Sequence, residues 1–131
     1  MIADTDVLID FLAGREPAAR RVATELESGG LCTTAVTRVE LLSGARSERQ
    51  LRDVRILLDG MPTLPLDQAA ADLAAEVKRD LDRQGLAIGM GDALIAGIVL
   101  AHGGVLLTRN ERHFRRIRGL ALSNPSAGRQ R

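Results

Sequence analysis

Very short apolar runs alternate with helix-length segments along almost the whole chain, and that alternation limits the fold more than any other feature. Ile2-Ala3, Leu31 to Thr33, Thr63 to Leu66 and Val105 to Thr108 read as strands, with Leu120 to Leu122 as a last edge strand. Strands spaced by helices predict an α/β domain, an open parallel sheet with helices on both faces and right-handed crossovers. Ligands in such folds bind beyond the carboxyl ends of the strands, where Asp4 and Asn110 would both stand.

Local signals place the helices. Val7 to Leu12 reads as a helix capped by Asp6, and a second helix starts near Pro17 and stops at Gly29-Gly30, where glycine suits a C-terminal cap. Thr34 caps a helix over Ala35 to Leu42 that carries Glu40, and another runs from about Glu48 to Leu58. Asp67 caps a long helix to about Gln84. After a glycine-containing loop, Asp92 opens an apolar helix that stops at Gly103-Gly104, and a short basic helix follows Arg109-Asn110-Glu111. Residues 1–122 are expected to form one domain and 123–131 a loose tail. The apolar faces around Leu51 to Leu58 and Leu73 to Leu81 suit either the core or a dimer interface.

Composition removes several function classes. With 45% apolar and 27% charged residues the chain suits a folded core rather than disorder. Phe11 and Phe114 are the only aromatic residues of the Phe, Tyr and Trp type, so base stacking on aromatic side chains is excluded as the recognition mode. Cys32 has no second cysteine to pair with and reads as a small buried hydrophobe in a reducing compartment. There is no basic segment with an apolar h-region, and no apolar run is long enough to span a bilayer, so a cytoplasmic protein without membrane contact is expected. Net charge is only +1, yet every basic residue except Lys78 is arginine, and five fall between Arg109 and Arg118. Arginine grips phosphate bidentately, so that segment is either a phosphate-binding edge or a solvated helix face.

Three carboxylates sit where a surface role does not explain them. Asp4 follows a buried strand, Glu40 lies within the apolar helix Val36 to Leu42, and Asp92 stands between a glycine and an apolar run. Such groups repel one another and lose hydration, and hard divalent cations such as Mg²⁺ or Mn²⁺, bound through oxygen, compensate both costs. Helix capping by Asp4 and Asp92, with Glu40 as an exposed helix residue, is the plainer alternative for each taken singly.

Four ordered segments carry a family resemblance. Asp4-Thr5-Asp6-Val7-Leu8-Ile9-Asp10, Thr37-Arg38-Val39-Glu40-Leu41-Leu42-Ser43-Gly44, Gly91-Asp92-Ala93-Leu94-Ile95-Ala96 and Thr108-Arg109-Asn110-Glu111-Arg112-His113-Phe114 resemble the successive motifs of PIN domains, and closely those of VapC-type toxins. The resemblance implies a PIN-like three-layer fold and a metal-dependent endoribonuclease that restrains translation and growth. It implies an acidic metal site of Asp4, Glu40 and Asp92, with Asn110 at a fourth catalytic position where the family usually has aspartate. Thr5, Asp6 and Thr108 are expected at the edge of that site, Asp6 more as a helix cap than as a ligand. Asp10 is expected to be solvated, and His113 to play a structural or phosphate-contact role. A cognate VapB-type antitoxin and a toxin homodimer are implied as partners, in one heteromeric assembly.

The chemistry expected of three acids and Mg²⁺ or Mn²⁺ is hydrolysis by an activated water rather than attack by an RNA 2′-hydroxyl, leaving 5′-phosphate and 3′-hydroxyl ends. Arg109, Arg112, Arg115 and Arg116 are the candidates for guiding the RNA backbone. Two rivals stand beside this reading. Asp4-Thr5-Asp6 has the spacing of a haloacid-dehalogenase-like phosphatase, but position 8 is Leu, position 96 is Ala, and Lys78 lies mid-helix rather than after a strand. A non-catalytic PIN-like binding module, whose acids anchor only a partner or an ion, is the other.

Overall fold

A computed structural model of the chain describes residues 1–126. Its elements are β1 (Ile2–Ala3), α1 (Thr5–Leu12), α2 (Ala18–Ser28), β2 (Cys32–Thr34), α3 (Ala35–Gly44) and α4 (Glu48–Asp59). There follow β3 (Thr63–Leu64), α5 (Gln68–Arg83), α6 (Met90–His102), β4 (Val105–Leu107), α7 (Glu111–Phe114) and β5 (Ala121–Ser123). The strands form one sheet in the order β3-β2-β1-β4-β5, every neighbouring pair parallel. All carboxyl ends therefore share one edge. The chain leaves β1 toward β2 on one side and returns through β4 on the other, so the topological switch point lies at the end of β1.

The two-residue period of the strands sorts the core into two layers. Ala3 and Leu107 face α1, α2 and α4, where Val7, Leu8, Val22, Val54, Leu57 and Leu58 are buried. Their neighbours Ile2 and Leu106 face the opposite layer, with Val77, Leu81, Ile95, Val99 and Phe114 of α5, α6 and α7. The apolar faces of α4 and α5 thus turn into the core, although Ile56 on the outer side of α4 stays 71% exposed. In the second layer α5 and α6 nearly touch at Gly97, where a Cβ would lie 2.7 Å from the Cβ of Ala74 and would collide with the carbonyl oxygen of Ala70. Only glycine permits that approach.

Most helix ends follow their local signals. Thr34 accepts from the N–H of Thr37 and Asp67 from that of Ala70, while Gly29 and Gly103 end α2 and α6 in left-handed conformation. The cap of α1 differs from expectation: it is Asp4, whose Oδ1 accepts from the N–H of Thr5 at 2.8 Å. Strand β1 ends at Ala3, so the helix begins at once, and Asp6 falls inside its first turn and is drawn to the end of β4. Asp92 likewise lies in the first turn of α6 rather than at its cap, which is Gly89. Cys32 is only half-buried, with its thiol pushed up by the burial it has. Ser123 belongs to β5 and pairs with Leu107, so the tail boundary expected after residue 122 falls inside a strand. Residues 127–131 of that expected tail lie outside the described residues. No helix among the described residues is long and apolar enough to cross a membrane.

Candidate active site at the carboxyl edge of the sheet

The end of β1 and the end of β4 build the deep half of the site. Asp4 is 5% exposed, and the buried Thr108 hydroxyl donates to its Oδ2 at 2.7 Å. The same hydroxyl lies 3.3 Å from Oδ2 of Asp6 and accepts the Asn110 N–H at 3.0 Å. The N–H of Arg109 donates to Oδ2 of Asp6 at 3.0 Å, while Oδ1 of Asp6 is buried without a hydrogen-bond partner among the described residues. Burial, then the charge of Asp6, pushes the Asp4 carboxyl from 3.8 to about 7, against the hydrogen bonds from Thr108 and Thr5, and Asp92 adds to the rise. Asp6 is also raised, chiefly by burial. Asp4, Asp6 and Thr108 come together only because β1 and β4 are neighbours.

Helices α3 and α6 bring the more open half. Glu40 is exposed on α3 and accepts a short hydrogen bond from the Thr5 hydroxyl, which lies 2.9 Å from the hydroxyl of Thr37. A Cβ built on Gly91 would stand 3.3 Å from Oε2 of Glu40, so the start of α6 meets this carboxylate directly. Asp92, 37% exposed in that turn, lies 3.1 Å through Oδ2 from Nε2 of His113. Asn110 is exposed, and its backbone rather than its side chain is tied to Thr108. Phe114, fully buried beneath α7, fixes this loop on the sheet.

One sequence reading is corrected here. Asp10 is not solvated: it is 6% exposed, one turn behind Asp6, with Nε of Arg109 at 2.6 Å and Nη1 of Arg15 at 3.7 Å. An acid at a buried position needs such partners, and the helical spacing that aims Asp6 at β4 aims Asp10 there too. Arg116 is half-buried between α7 and the loop before α6. Its guanidinium donates to the carbonyls of His113 and Ala87, both at 2.9 Å. Arg112 is exposed, and Arg115, 70% exposed, stands 3.8 Å from Glu111.

Among the described residues no three His, Cys, Asp or Glu side chains stand in a ready metal-binding cluster. The donors nevertheless suit a hard divalent ion. Asp4, Glu40, Asp92 and Asn110 would ligate through oxygen, the charge of Asp92 adds to the rise of Asp4, and Oδ1 of Asp6 has no hydrogen-bond partner among the described residues. Ions of the Mg²⁺ type keep several waters and take only one or two carboxylates directly, so wider spacing is compatible with binding.

An all-parallel sheet with carboxylates gathered at its switch point defines a nuclease-like α/β domain, and the chain belongs to the PIN domain family, whose pattern matches residues 1–120. Within that family it is similar to VapC proteins. The tRNA(fMet)-specific endonuclease VapC of Shigella flexneri is 34% identical over 121 residues, covering 89% of this chain and 91% of that one. The DNA-bound VapBC structure from Salmonella typhimurium superposes with a TM-score of 0.84 at 28% identity, over 95% of this chain and 96% of that one. A toxin-antitoxin complex from Klebsiella pneumoniae gives a TM-score of 0.74 at 25% identity, over 95% and 96%.

Proposed function

We propose that the chain is a VapC-type endoribonuclease, the toxin of a toxin-antitoxin pair, and that its cleavage of RNA depends on a divalent cation held by Asp4, Glu40 and Asp92. The single observation that carries the metal dependence is Asp4, pushed to about 7 by burial and then by the charges of Asp6 and Asp92, because a cation at this edge would offset both the lost hydration and the repulsion. When bound, Mg²⁺ or Mn²⁺ supplies Lewis acidity, lowering the pKa of a water and offsetting charge on the phosphodiester. The protein's part is orientation. Thr108 holds Asp4, Thr5 holds Glu40, and Asn110 offers a neutral amide at the mouth. Arg109, with half of its side chain exposed beside this edge, is placed to meet RNA phosphate, and Arg112 and Arg115 lie farther along the same segment.

A cognate antitoxin is the expected protein partner, as in the VapBC and toxin-antitoxin complexes of the structural relatives. The test is cleavage of total cellular RNA, and separately of initiator transfer RNA, by antitoxin-free protein with Mg²⁺, Mn²⁺ or chelator, with Asp92→Asn alongside. Chelator-sensitive cuts with 5′-phosphate ends, absent in Asp92→Asn, are expected. A folded wild type that cuts nothing under any condition leaves the chain a binding module, and undiminished cutting by Asp92→Asn removes that residue from the site.

A further inference from the structure

We infer that His113 is a positioning residue for Asp92, its ring set by Arg116 so that its N–H is presented to one carboxylate oxygen. The inference rests on the proposed role of Asp92 as a cation ligand. Nδ1 of His113 lies 3.0 Å from Nη2 of Arg116, and a guanidinium can only donate, so Nδ1 accepts and carries no proton. With Nδ1 accepting, the ring presents its N–H at Nε2, which lies 3.1 Å from Oδ2 of Asp92. Arg116 is itself anchored to the carbonyls of His113 and Ala87, so it joins α7 to the loop that leads into α6. The ring also stands edge-on to Phe114, at 5.7 Å and 80°, on a fully buried base.

This arrangement differs from a histidine satisfied within a core. The His113 side chain is 27% exposed and Asp92 37%, so the pair lies at the rim of the acidic edge. Contact through Oδ2 leaves Oδ1 of Asp92 without a hydrogen-bond partner among the described residues, available to a cation. Partners of this kind around ligating carboxylates fix ligand orientation, and their loss typically weakens metal binding by about 10- to 100-fold.

The test measures Mn²⁺ binding by calorimetry to the full, antitoxin-free chain, with cleavage followed in parallel. His113→Leu keeps the bulk and removes the N–H, His113→Gln restores a donor of similar reach, and Arg116→Met leaves the ring but frees its orientation. Expected are a roughly 10- to 100-fold weaker Mn²⁺ affinity in His113→Leu, recovery of most of it in His113→Gln, and a smaller loss in Arg116→Met. The Mn²⁺ needed for half-maximal cleavage should rise in step while kcat at saturating Mn²⁺ stays within a few-fold. Wild-type affinity in His113→Leu, or equal loss in the Leu and Gln variants, overturns the role of His113. If His113→Leu does not fold, unchanged Mn²⁺ affinity in Arg116→Met does so instead. A wild type that takes up no Mn²⁺ overturns the metal reading of the site itself.

Discussion

The two halves of the acidic edge are built in opposite ways. Asp4, Asp6 and Thr108 lie deep at the ends of adjacent central strands, joined through one hydroxyl and closed to solvent on most sides. Glu40, Asp92 and Asn110 project from helix faces and a loop, exposed or half-exposed, with few contacts. The first half carries the raised carboxyl groups of Asp4 and Asp6. Its geometry is fixed by the sheet, so its electrostatic cost is present before any ligand arrives, while the second half is free to adjust around what binds.

Replacing one acid from each half should separate these roles. Asp4→Asn and Glu40→Gln are both expected to lower cleavage by roughly a thousandfold, the equivalent of several kcal/mol of lost charge stabilisation. Their stabilities should diverge. Asp4 has a folded pKa of about 7 against 3.8 unfolded, so its contribution to stability is full below about pH 4 and is lost as pH rises through 7. The raised carboxyl of Asp6 acts in the same direction. The melting temperature of the metal-free wild type should therefore fall between pH 4 and pH 8, by at most about 1.4 kcal/mol of stability per pH unit for each such group. Asp4→Asn should flatten much of that slope and melt higher than wild type at pH 8. Glu40→Gln, at an exposed position, should stay within about 0.5 kcal/mol of wild type. A flat wild-type profile between pH 4 and pH 8 would erase the contrast.

Thr108→Val sharpens the contrast from within the deep half. Valine fills the same volume but offers no proton to Asp4 and no acceptor to the Asn110 N–H. Leaving buried polar groups unpaired costs about 1–3 kcal/mol, and cleavage should drop by roughly tenfold to a hundredfold. Cation binding needs Asp4 ionised, so activity should rise with pH as Asp4 loses its proton, and because the Thr108 hydrogen bond lowers the pKa of Asp4 its loss should move that rise to higher pH. A pH profile that keeps its midpoint would show that the hydroxyl does not control Asp4.

Much of this was legible in the sequence, for definite reasons. Elements fixed by local chemistry, such as the glycine stops at Gly29 and Gly103 and the caps at Thr34 and Asp67, stand where their residues place them. That Asp4 and Asn110 share one sheet edge followed from the alternation of strands and helices, whereas Thr108 was expected there only from the family resemblance. What stayed hidden depends on contacts distant in sequence. Asp10 reads as a solvated helix residue until β4 puts Arg109 beside it, and Asp6 reads as a cap until Thr108 and the Arg109 N–H claim it. Nor does sequence spacing alone set His113 against Asp92, because the two meet only once α7 packs beside the start of α6.

The smallest expected effect concerns how the deep half reaches the RNA. Asp10 is buried behind the site, yet its nearer ion-pair partner among the described residues, Arg109, is about half exposed at the mouth. A buried acid that holds an exposed guanidinium restricts where that cation can meet a phosphate, and Arg15, farther away at 3.7 Å and more exposed, holds Asp10 less firmly. Asp10→Asn should therefore raise KM about threefold to fivefold with kcat nearly unchanged, an effect below about 1 kcal/mol. Arg109→Gln should do the same and reduce the salt dependence of RNA binding by about 0.7 in log-log slope, the value for one contact to a single strand. If Asp10 acts only through Arg109, the double variant should bind RNA no more weakly than Arg109→Gln alone. Additive losses would mean that each residue contributes separately. The acid would then serve the packing of α1 against β4 rather than the aim of the arginine.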